Sequence, residues 1–247
     1  MKFDFSDKII VVTGSTRGIG AAIVELFQEC NAEIIATGTN SKELKGINRR
    51  SSGKKIKYVH LDFTLNDSVK EFLGSLDKLG KIDVLINNAG VNKIDSIHQI
   101  DKNDWDWINN VNLRGPFLLT KAVSKIMQRQ GSGRIVNIAS IFGVVSKAKR
   151  VTYSTTKWGL VGFTKAVALD LAPYNILVNA VSPGFVDTEL TRSILGEKEI
   201  EKLVDTIPQN RLADAEEIAK TVIFLASNHN TYISGQNIIV DGGFTSA

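Results

Sequence analysis

The sequence predicts an α/β fold, a doubly wound parallel sheet of about seven strands with helices on both faces, in a single domain over residues 1–247. Short apolar runs rich in β-branched residues alternate with longer stretches of helical periodicity, which is the pattern of strand–helix–strand units. A chain of 247 residues is long enough for one large α/β domain. We find no internal repeat, low-complexity tract or linker that would divide it.

Seven segments are predicted as strands because they are short, apolar and separated by turn residues. They are Lys8–Thr13, Glu33–Thr37, Lys55–His60, Val84–Asn87, Arg134–Ala139, Leu177–Val181 and Ile238–Val240. The two longest helices are predicted around Trp105–Arg129 and Tyr153–Leu171. The segment 189–210 is irregular, with short helical patterns around Leu190–Leu195 and Lys198–Val204. It follows the carboxyl end of the sixth strand, and ligands bind at that edge of such sheets.

The first strand runs directly into a glycine-rich loop. Gly14, Gly18 and Gly20 lie between it and a stretch in which apolar residues recur every three or four positions, as in an amphipathic helix. This order brings a pyrophosphate against backbone N–H groups at a helix N-terminus. The spacing is G-x-x-x-G-x-G and not the commoner G-x-G-x-x-G. We assign Gly14 to the tight turn, Gly18 to the close approach of the ligand and Gly20 to helix–strand packing.

Tyr153 and Lys157 lie four residues apart, on one face of a predicted helix, and Ser140 precedes them by a short loop. A free tyrosine has a pKa of about 10 and exchanges protons poorly at neutral pH. A nearby cation stabilises the phenolate and lowers that pKa, so the pair predicts a general acid–base. Such a pair is also typical of a solvated helix face, and the glycine loop is the context that favours catalysis.

A series of motifs along the chain resembles the short-chain dehydrogenase/reductase family in its single-domain form. The motifs are T-G-x-x-x-G-x-G at Thr13–Gly20, N-N-A-G at Asn87–Gly90, Asn112, Ser140, Y-x-x-x-K at Tyr153–Lys157, and Pro183-Gly184 followed by Thr188. The resemblance covers essentially the whole chain, and its overall look is most like the 3-oxoacyl-acyl-carrier-protein reductases. It implies a Rossmann-type fold, an oxidoreductase with a nicotinamide cofactor, and a substrate lid over 189–210.

The resemblance also implies a role for each catalytic residue. Hydride passes between the nicotinamide and a carbonyl carbon, and Tyr153 donates the proton to the growing alkoxide. Ser140 polarises the carbonyl oxygen, whereas Lys157 lowers the tyrosine pKa and holds the nicotinamide ribose. Asn112 holds a water that links the lysine to solvent. The alternatives are a plain strand-end hydroxyl for Ser140 and a helix residue that bonds its own backbone for Asn112.

The residues after the second strand indicate which nicotinamide cofactor binds. Folds that select NAD usually place Asp or Glu there to bind the ribose 2′-hydroxyl. Here no carboxylate occurs between Thr37 and Glu43, so nothing repels a 2′-phosphate. Thr37, Thr39 and Asn40 offer hydrogen-bond donors, and Arg17 offers positive charge unless it is simply a solvated loop residue. We therefore predict NADP(H).

The predicted cofactor-binding residues come from the glycine loop, from the loops after the second, third, fourth and sixth strands, and from the Tyr–Lys pair. They are Gly14, Ser15, Thr16, Arg17, Gly18, Ile19, Gly20, Thr37, Thr39, Asp62, Asn88, Ala89, Gly90, Tyr153, Lys157, Pro183, Gly184, Val186 and Thr188. The contact of Asp62 with adenine is implied by the resemblance, and an acidic turn residue is the simpler alternative. The glycines and prolines are also consistent with purely structural turns. No metal site is predicted.

Two features bear on the substrate, which is predicted to be a small carbonyl or alcohol compound. Reductases of the resembled type typically carry basic residues that dock an acidic carrier protein, whereas this chain has Gly131 and Tyr174 at those places and Arg129 nearby. Arg150, three residues before the tyrosine, can bind a carboxylate or phosphate bidentately. The alternative, in which Arg150 is simply an exposed cation of the loop, is supported equally by the sequence. The substrate is therefore a 3-oxoacyl group, carrier-bound or not, or an anionic sugar, sugar acid or nucleotide-sugar derivative.

Composition and charge limit the remaining classes. The chain has no apolar stretch of about 18 residues that would span a membrane. Its N-terminus lacks the features of a signal peptide and Cys30 is its one cysteine, which favours the cytoplasm. The pI is near 9.0, but the basic stretch 49–57 has no interleaved aromatic residues to stack bases, so no nucleic-acid partner is expected.

The resemblance to the family also bears on whether the protein forms oligomers and on whether it is catalytic. In the family the two long helices pack against their copies, which implies a homodimer or homotetramer here. Apolar residues on several faces agree with that: Phe117, Leu118, Leu119, Val161 and Phe163. A non-catalytic NADP-binding sensor is the less favoured alternative, because such proteins usually lack the tyrosine or the lysine.

Overall fold

Strands and α-helices alternate along residues 2–247, which the computed structural model describes except for the side chain of Ile194. The strands are β1 (Ile9–Val12), β2 (Glu33–Gly38), β3 (Ile56–His60), β4 (Val84–Asn87), β5 (Gly133–Ile138), β6 (Ile176–Pro183) and β7 (Asn237–Val240). The α-helices are α1 (Gly18–Glu29), α2 (Ser41–Arg50), α3 (Asn66–Asp77), α4 (Lys102–Asn109), α5 (Gly115–Gln130), α6 (Val151–Leu171), α7 (Glu189–Ile194), α8 (Glu197–Val204) and α9 (Ala215–Ala226).

The strands form one parallel sheet in the order β3-β2-β1-β4-β5-β6-β7. Ile10 of β1 pairs with Ile34 on one side and with Val84 on the other. The direction of strand addition therefore reverses between β1 and β4, and ligands bind in the crevice at such a switch point. The predicted doubly wound α/β fold is confirmed.

The sheet is buried on both faces because successive strand side chains point in opposite directions. In β1, Ile10 and Val12 pack with side chains of α1 and α9, whereas Val11 packs with those of α3 and α5 on the other face. All three are fully buried. This double burial is why the strands are continuous apolar runs in the sequence.

The sixth strand is longer than predicted. It begins at Ile176 and extends through Pro183, whose backbone is in register with Val240 of β7. The proline therefore ends the strand and does not follow it. Gly184, the next residue, still donates its N–H to the carbonyl of Val240 at 2.9 Å.

The predicted long helix around Trp105–Arg129 is two helices joined by a π-helical turn over Asn110–Arg114. Pro116 lies in the first turn of α5 and has no N–H to donate to the carbonyl of Asn112, four residues earlier. A widened π turn is a common local answer to such a break and often marks a functional position. The backbone at Asn112 therefore has a π-helical conformation, whereas the helices on either side of it are α-helical.

The segment 189–210, predicted to form a lid, contains α7 and α8. Each begins one residue before its predicted start. Thr188 caps α7, its hydroxyl accepting a hydrogen bond from the N–H of Thr191 at 3.3 Å. No residue of α8 is buried, so this helix lies on the surface of the protein.

The two helices expected to carry surplus apolar surface do so in part. Leu119 is fully buried in the core and does not belong to that surface. Phe117 on α5 is 46% exposed, and Trp158 and Leu169 on α6 are 52% and 78% exposed. Among the described helices, none is both long enough and apolar enough to cross a membrane.

Candidate active site

A pair of side chains joins the glycine loop to the loop after β4. The Thr13 hydroxyl oxygen accepts hydrogen bonds from the backbone N–H groups of Asn88 and Ala89, each at 3.0 Å. In return, the Asn88 amide nitrogen donates to the carbonyls of Thr13 at 2.9 Å and Gly14 at 2.8 Å. Asn88, predicted to line the cofactor, thus also fixes the glycine loop. Thr13 was not predicted as a catalytic or cofactor-binding residue, although it is the first residue of the T-G-x-x-x-G-x-G motif.

The glycines of the loop are required by close contacts. Gly14 has a φ of +62°, in the left-handed region, and a Cβ there would lie 2.8 Å from the Cα of Ala89. A Cβ at Gly20 would lie 2.2 Å from the carbonyl oxygen of Gly14 and 2.5 Å from the side-chain nitrogen of Asn88. Gly20 therefore makes room for the first turn of α1 to pack against the loop that ends β1.

The predicted cofactor contacts at the end of β2 divide into two groups. Thr37 is 1% exposed, and its hydroxyl oxygen accepts from the N–H of Gly14 at 3.3 Å. Its backbone N–H and carbonyl bond the Ser15 hydroxyl at 2.9 and 3.1 Å. These buried residues support the loop from beneath. Thr39 is exposed, whereas the Asn40 side chain caps α2 and its oxygen is already occupied.

Arg17 lies at the mouth of the crevice. Its side chain is 71% exposed, and one guanidinium nitrogen lies 3.7 Å from a carboxylate oxygen of Glu189, at the start of α7. A Cβ at Gly18 would lie 3.4 Å from a methyl carbon of Thr188. The first residues of the 189–210 segment therefore lie against the glycine loop.

Two other predicted cofactor residues have protein partners. The Asp62 carboxylate accepts hydrogen bonds from the N–H and hydroxyl of Thr64 at 2.8 and 2.6 Å, which is the simple turn described above as its alternative. Val186 is 4% exposed, packs in the core beside α9, and pairs its backbone with Ala213. The side chain of Val186 therefore does not face the crevice, and its backbone alone remains for a ligand.

Lys157 is buried beside the tyrosine and the loop after β4. It is 3% exposed, and its ammonium donates to the carbonyl of Ile138, at the end of β5, at 2.8 Å. The same nitrogen lies 5.5 Å from the centre of the Tyr153 ring, and a Cβ at Gly90 would come within 3.6 Å of it. Burial lowers the pKa of Lys157 to about 8, because a charged group loses its hydration there.

Asn112 reaches the same place from the π turn. Its side-chain oxygen accepts from the N–H of Val91 at 2.8 Å, and its nitrogen donates to the Val91 carbonyl at 2.9 Å and the Thr156 hydroxyl at 3.2 Å. Both amide hydrogens are therefore engaged, and one lone pair of the oxygen remains for a water. A Cβ at Gly90 would lie 3.7 Å from that oxygen.

Ser140 and Tyr153 complete the group. Ser140 is 7% exposed at the end of β5, and its hydroxyl oxygen accepts from the N–H of Phe142 at 3.1 Å. Burial raises the pKa of Tyr153, while the hydrogen bond with Ser140 and the charge of Arg150 oppose that rise. That Lys157 lowers this pKa stays a prediction. Desolvation dominates, and the cation that acts on the phenol is Arg150.

Arg150 points into the site. It is 8% exposed, and its guanidinium carbon lies 5.4 Å from the centre of the Phe142 ring. The alternative of an exposed loop cation is therefore wrong for Arg150, although it holds for Lys147 and Lys149. Phe142 also stands edge-on to the Tyr153 ring, with centres 6.3 Å apart.

Further aromatic rings extend this wall, and the sequence did not identify them. Phe185 stands edge-on to Phe142 at 6.1 Å and to Phe244 at 5.3 Å. The residues come from the loops after β5, β6 and β7, so the only signal in the sequence is their position after predicted strands. They give the crevice an apolar side next to the phenol.

Comparison with known proteins agrees with this geometry. Residues 14–245 match the family model described as enoyl-(acyl carrier protein) reductase. The 3-oxoacyl-[acyl-carrier-protein] reductase of Aquifex aeolicus is 40% identical over 247 residues, covering 98% of this chain and 99% of that protein. A short-chain type dehydrogenase/reductase from Mycobacterium marinum has a TM-score of 0.91 at 31% identity, covering 100% of this chain and 98% of its own.

The chain belongs to the short-chain dehydrogenase/reductase family. The predictions of the family, of a Rossmann-type fold and of an oxidoreductase are thereby confirmed. A gluconate 5-dehydrogenase from Burkholderia cenocepacia, solved in complex with NADP and tartrate, has a TM-score of 0.92 at 30% identity. It covers 100% of this chain and 98% of its own, and its bound NADP agrees with the cofactor predicted here.

Replacing Gly20 by alanine tests the close packing of the glycine loop. The added methyl group overlaps the Gly14 carbonyl, so the free energy of unfolding should fall by about 1–3 kcal/mol. Gly74→Ala is the matched control, because a Cβ at that α3 position meets no atom within 4 Å and alanine favours a helix. Chemical denaturation measures both variants. A Gly20→Ala protein as stable as Gly74→Ala would contradict the packing.

The burial of Lys157 predicts how stability depends on pH. Its folded-state pKa of about 8 lies below the unfolded value of about 10.4. Between these values the unfolded chain binds more protons, so the free energy of unfolding of the cofactor-free protein should rise from about pH 8 to about pH 10. The full rise is on the order of 3 kcal/mol. Lys157→Met should lack it, and parallel pH curves for the two proteins would mean that the ammonium is solvated.

Proposed function

We propose that the protein transfers hydride between NADP(H) and a carbonyl compound or secondary alcohol, with Tyr153 as general acid–base. The observation that carries this proposal is the convergence of Tyr153, Lys157 and Ser140 at the end of β5. There they face the loop after β4, which is itself fixed to the glycine loop. A proton-transfer group thus stands next to a dinucleotide-type crevice.

The residues of the crevice fit a dinucleotide. Gly14 and Gly18 both have positive φ, and neither carries a side chain that would block the approach of a ligand to the loop between β1 and the N-terminus of α1. Such a loop favours phosphate through its N–H groups and the helix dipole. No carboxylate stands between Thr37 and Glu43, and Arg17 is mostly exposed at the crevice mouth. These features support NADP(H) over NAD(H).

The chain's own residues then handle the proton while bound NADP(H) supplies the hydride. The Ser140 hydroxyl donates a hydrogen bond to the substrate carbonyl oxygen and polarises it. As negative charge develops on that oxygen, the Tyr153 hydroxyl transfers its proton to it, and in the reverse direction the phenolate removes the alcohol proton. Lys157 remains anchored to the Ile138 carbonyl, which leaves two of its N–H groups for the ribose and for proton resupply near Asn112.

Two substrate classes follow from this chemistry. A 3-oxoacyl thioester is supported by the 40% identity to the Aquifex aeolicus reductase. An anionic sugar, sugar acid or nucleotide-sugar derivative is supported by the likeness to the gluconate 5-dehydrogenase. The absence of basic residues at Gly131 and Tyr174 favours the second class over a carrier-bound substrate. A non-catalytic sensor is disfavoured because the tyrosine and the lysine are both present.

The proposal extends to the lid, the assembly and the location of the protein. The segment 189–210 would cover the substrate, since its first residues already lie against the glycine loop. Phe117 and Trp158 are exposed apolar residues on the two helices expected to join protomers in a homodimer or homotetramer. The cytoplasm remains the predicted location.

Tyr153→Phe tests the proton-transfer role. Loss of the hydroxyl should lower kcat for NADPH-dependent carbonyl reduction by a hundredfold to ten-thousandfold, on the order of general acid–base contributions. NADPH affinity should be retained, because the ring remains. Tyr174→Phe is the matched control, since it removes a hydroxyl from an exposed tyrosine just beyond the C-terminal end of α6. Activity is measured on a panel of 3-oxoacyl thioesters and sugar acids. Equal turnover of Tyr153→Phe and Tyr174→Phe would refute the mechanism.

Arg17→Ala tests the choice of cofactor. Without this guanidinium, the ratio of NADPH to NADH affinity should fall about tenfold or more, since one charge-assisted contact to the 2′-phosphate is lost. NADH affinity should change little. Arg129→Ala removes another exposed arginine, from the end of α5, and serves as control. Binding is measured by the fluorescence of the reduced cofactors. An unchanged ratio of NADPH to NADH affinity would mean that Arg17 does not contact the cofactor.

A further inference from the structure

Arg150 is a buried cation for which the protein provides no countercharge. The residue is 8% exposed. Within residues 2–247 its guanidinium makes no salt bridge and no side-chain hydrogen bond. The Phe142 ring lies below it and supplies a cation–π attraction but no acceptor oxygen. Arginine is seldom buried unless it is paired, because its desolvation is costly.

Its position in the chain adds to this cost. Arg150 is the N-cap residue of α6, a helix of 21 residues, and the N-terminus of a helix repels a cation. The first turn of α6 carries no acidic residue, and the N-cap has no side-chain hydrogen bond to the helix. Two sources of positive potential therefore coincide, the guanidinium and the free N–H groups of the first turn. Neither is neutralised by the protein.

The surrounding sequence reinforces this positive potential. Between Asp106 and Asp170 the chain contains no aspartate or glutamate, while it contains ten lysines and arginines. This segment includes α5, β5, the loop with Lys147 and Lys149, and most of α6. The net charge of the whole chain is only +4, so the rest of the protein is acidic on balance. The substrate side of the site is thus set in the most basic part of the chain.

Arg150 and the reacting phenol of Tyr153 share Phe142 as a neighbour. Phe142 contacts both residues, with its ring centre 5.4 Å from the guanidinium carbon and 6.3 Å from the centre of the Tyr153 ring. The charge of Arg150 also acts on the pKa of Tyr153. One small molecule can therefore reach the guanidinium with one group while its carbonyl faces the phenol.

We propose that Arg150, together with the first turn of α6, binds a carboxylate or phosphate that lies a few bonds from the reacting carbonyl of the substrate. This inference rests on the proposed function and narrows it to oxo acids, keto-sugar acids and phosphorylated ketones, with the corresponding hydroxy compounds in the reverse direction. A thioester that carries its charges at the far end of a long arm does not fill this position. The free acid is then the preferred form even of a 3-oxoacyl skeleton.

Matched substrate pairs test the proposal with NADPH and the intact enzyme. Each pair differs mainly in the anionic group: 3-oxobutanoate and its methyl ester, 5-ketogluconate and a neutral ketohexose, dihydroxyacetone phosphate and dihydroxyacetone. The wild-type enzyme should reduce the anionic member of at least one pair about ten- to a hundredfold more efficiently, as expected for a bidentate charge-assisted contact. The pair that responds identifies carboxylate or phosphate as the group.

Variants of the loop assign that preference to Arg150. Arg150→Gln should raise KM for the anionic member about ten- to a hundredfold with no comparable rise in KM for the neutral member, and any change in kcat through the phenol should be common to both members. Arg150→Lys should retain part of the preference. Lys147→Gln is the matched control, because it removes the same charge from an exposed position in the same loop. It should leave both members unchanged.

A binding measurement separates this inference from the proposed function. In Tyr153→Phe with NADPH bound, the anionic member should quench cofactor fluorescence at lower concentration than its neutral partner, and Arg150→Gln in that background should abolish the difference. No turnover is needed for this readout, so a failure of catalysis leaves it intact. The inference is overturned if anionic and neutral members of every pair bind equally. It is also overturned if Arg150→Gln only shifts the pH profile of kcat for neutral substrates, since Arg150 would then serve the phenol alone.

Discussion

At the carboxyl edge of the parallel sheet the strands end, and backbone N–H and C=O groups there have no neighbouring strand to bond. The site depends on the side chains that hydrogen-bond to these groups instead. Thr13 accepts from the N–H groups that follow β4, and Asn88 returns two hydrogen bonds to the glycine loop. Asn112 bonds both the N–H and the carbonyl of Val91. Since an unpaired buried backbone group is costly, these side chains are required for the crevice to exist at all. Hydrogen bonds from side chains to backbone groups thus hold both the glycine loop and the surroundings of Lys157.

Burial sets the electrostatics within that frame. Lys157 and Tyr153 both lose hydration, which lowers the pKa of the lysine and raises that of the tyrosine. Each shift disfavours the charged form, but a lysine with a pKa of about 8 is still mostly protonated at neutral pH, so the site combines a neutral phenol with the cations of Lys157 and Arg150. A bound anion then meets a positive site with little competing negative charge. The apolar wall of Phe142 and Phe185 excludes water from it and strengthens the attraction.

The fold and the order of the site were readable from the sequence because both rest on local patterns. Apolar runs buried on two faces gave the strands, and the four-residue spacing of Tyr153 and Lys157 placed them on one helical face. What the sequence missed depends on contacts between distant segments. The partner of Gly20 is the Gly14 carbonyl, Thr37 supports the loop from beneath, and no periodicity reports either contact. The π turn before Pro116 was not predicted, because a helix that widens locally keeps the periodic spacing of its apolar residues.

The contact between Arg17 and Glu189 has a consequence for how the crevice opens. Both side chains are more than two-thirds exposed, and a pair of that kind is worth at most about 1 kcal/mol. A phosphate, with up to two negative charges and three acceptor oxygens, outcompetes a single solvated carboxylate for the same guanidinium. In the proposed NADP(H) complex, the entering nucleotide would therefore take over an arginine that Glu189 holds only loosely. Release of Glu189 in that exchange frees the base of α7 at the moment the crevice fills.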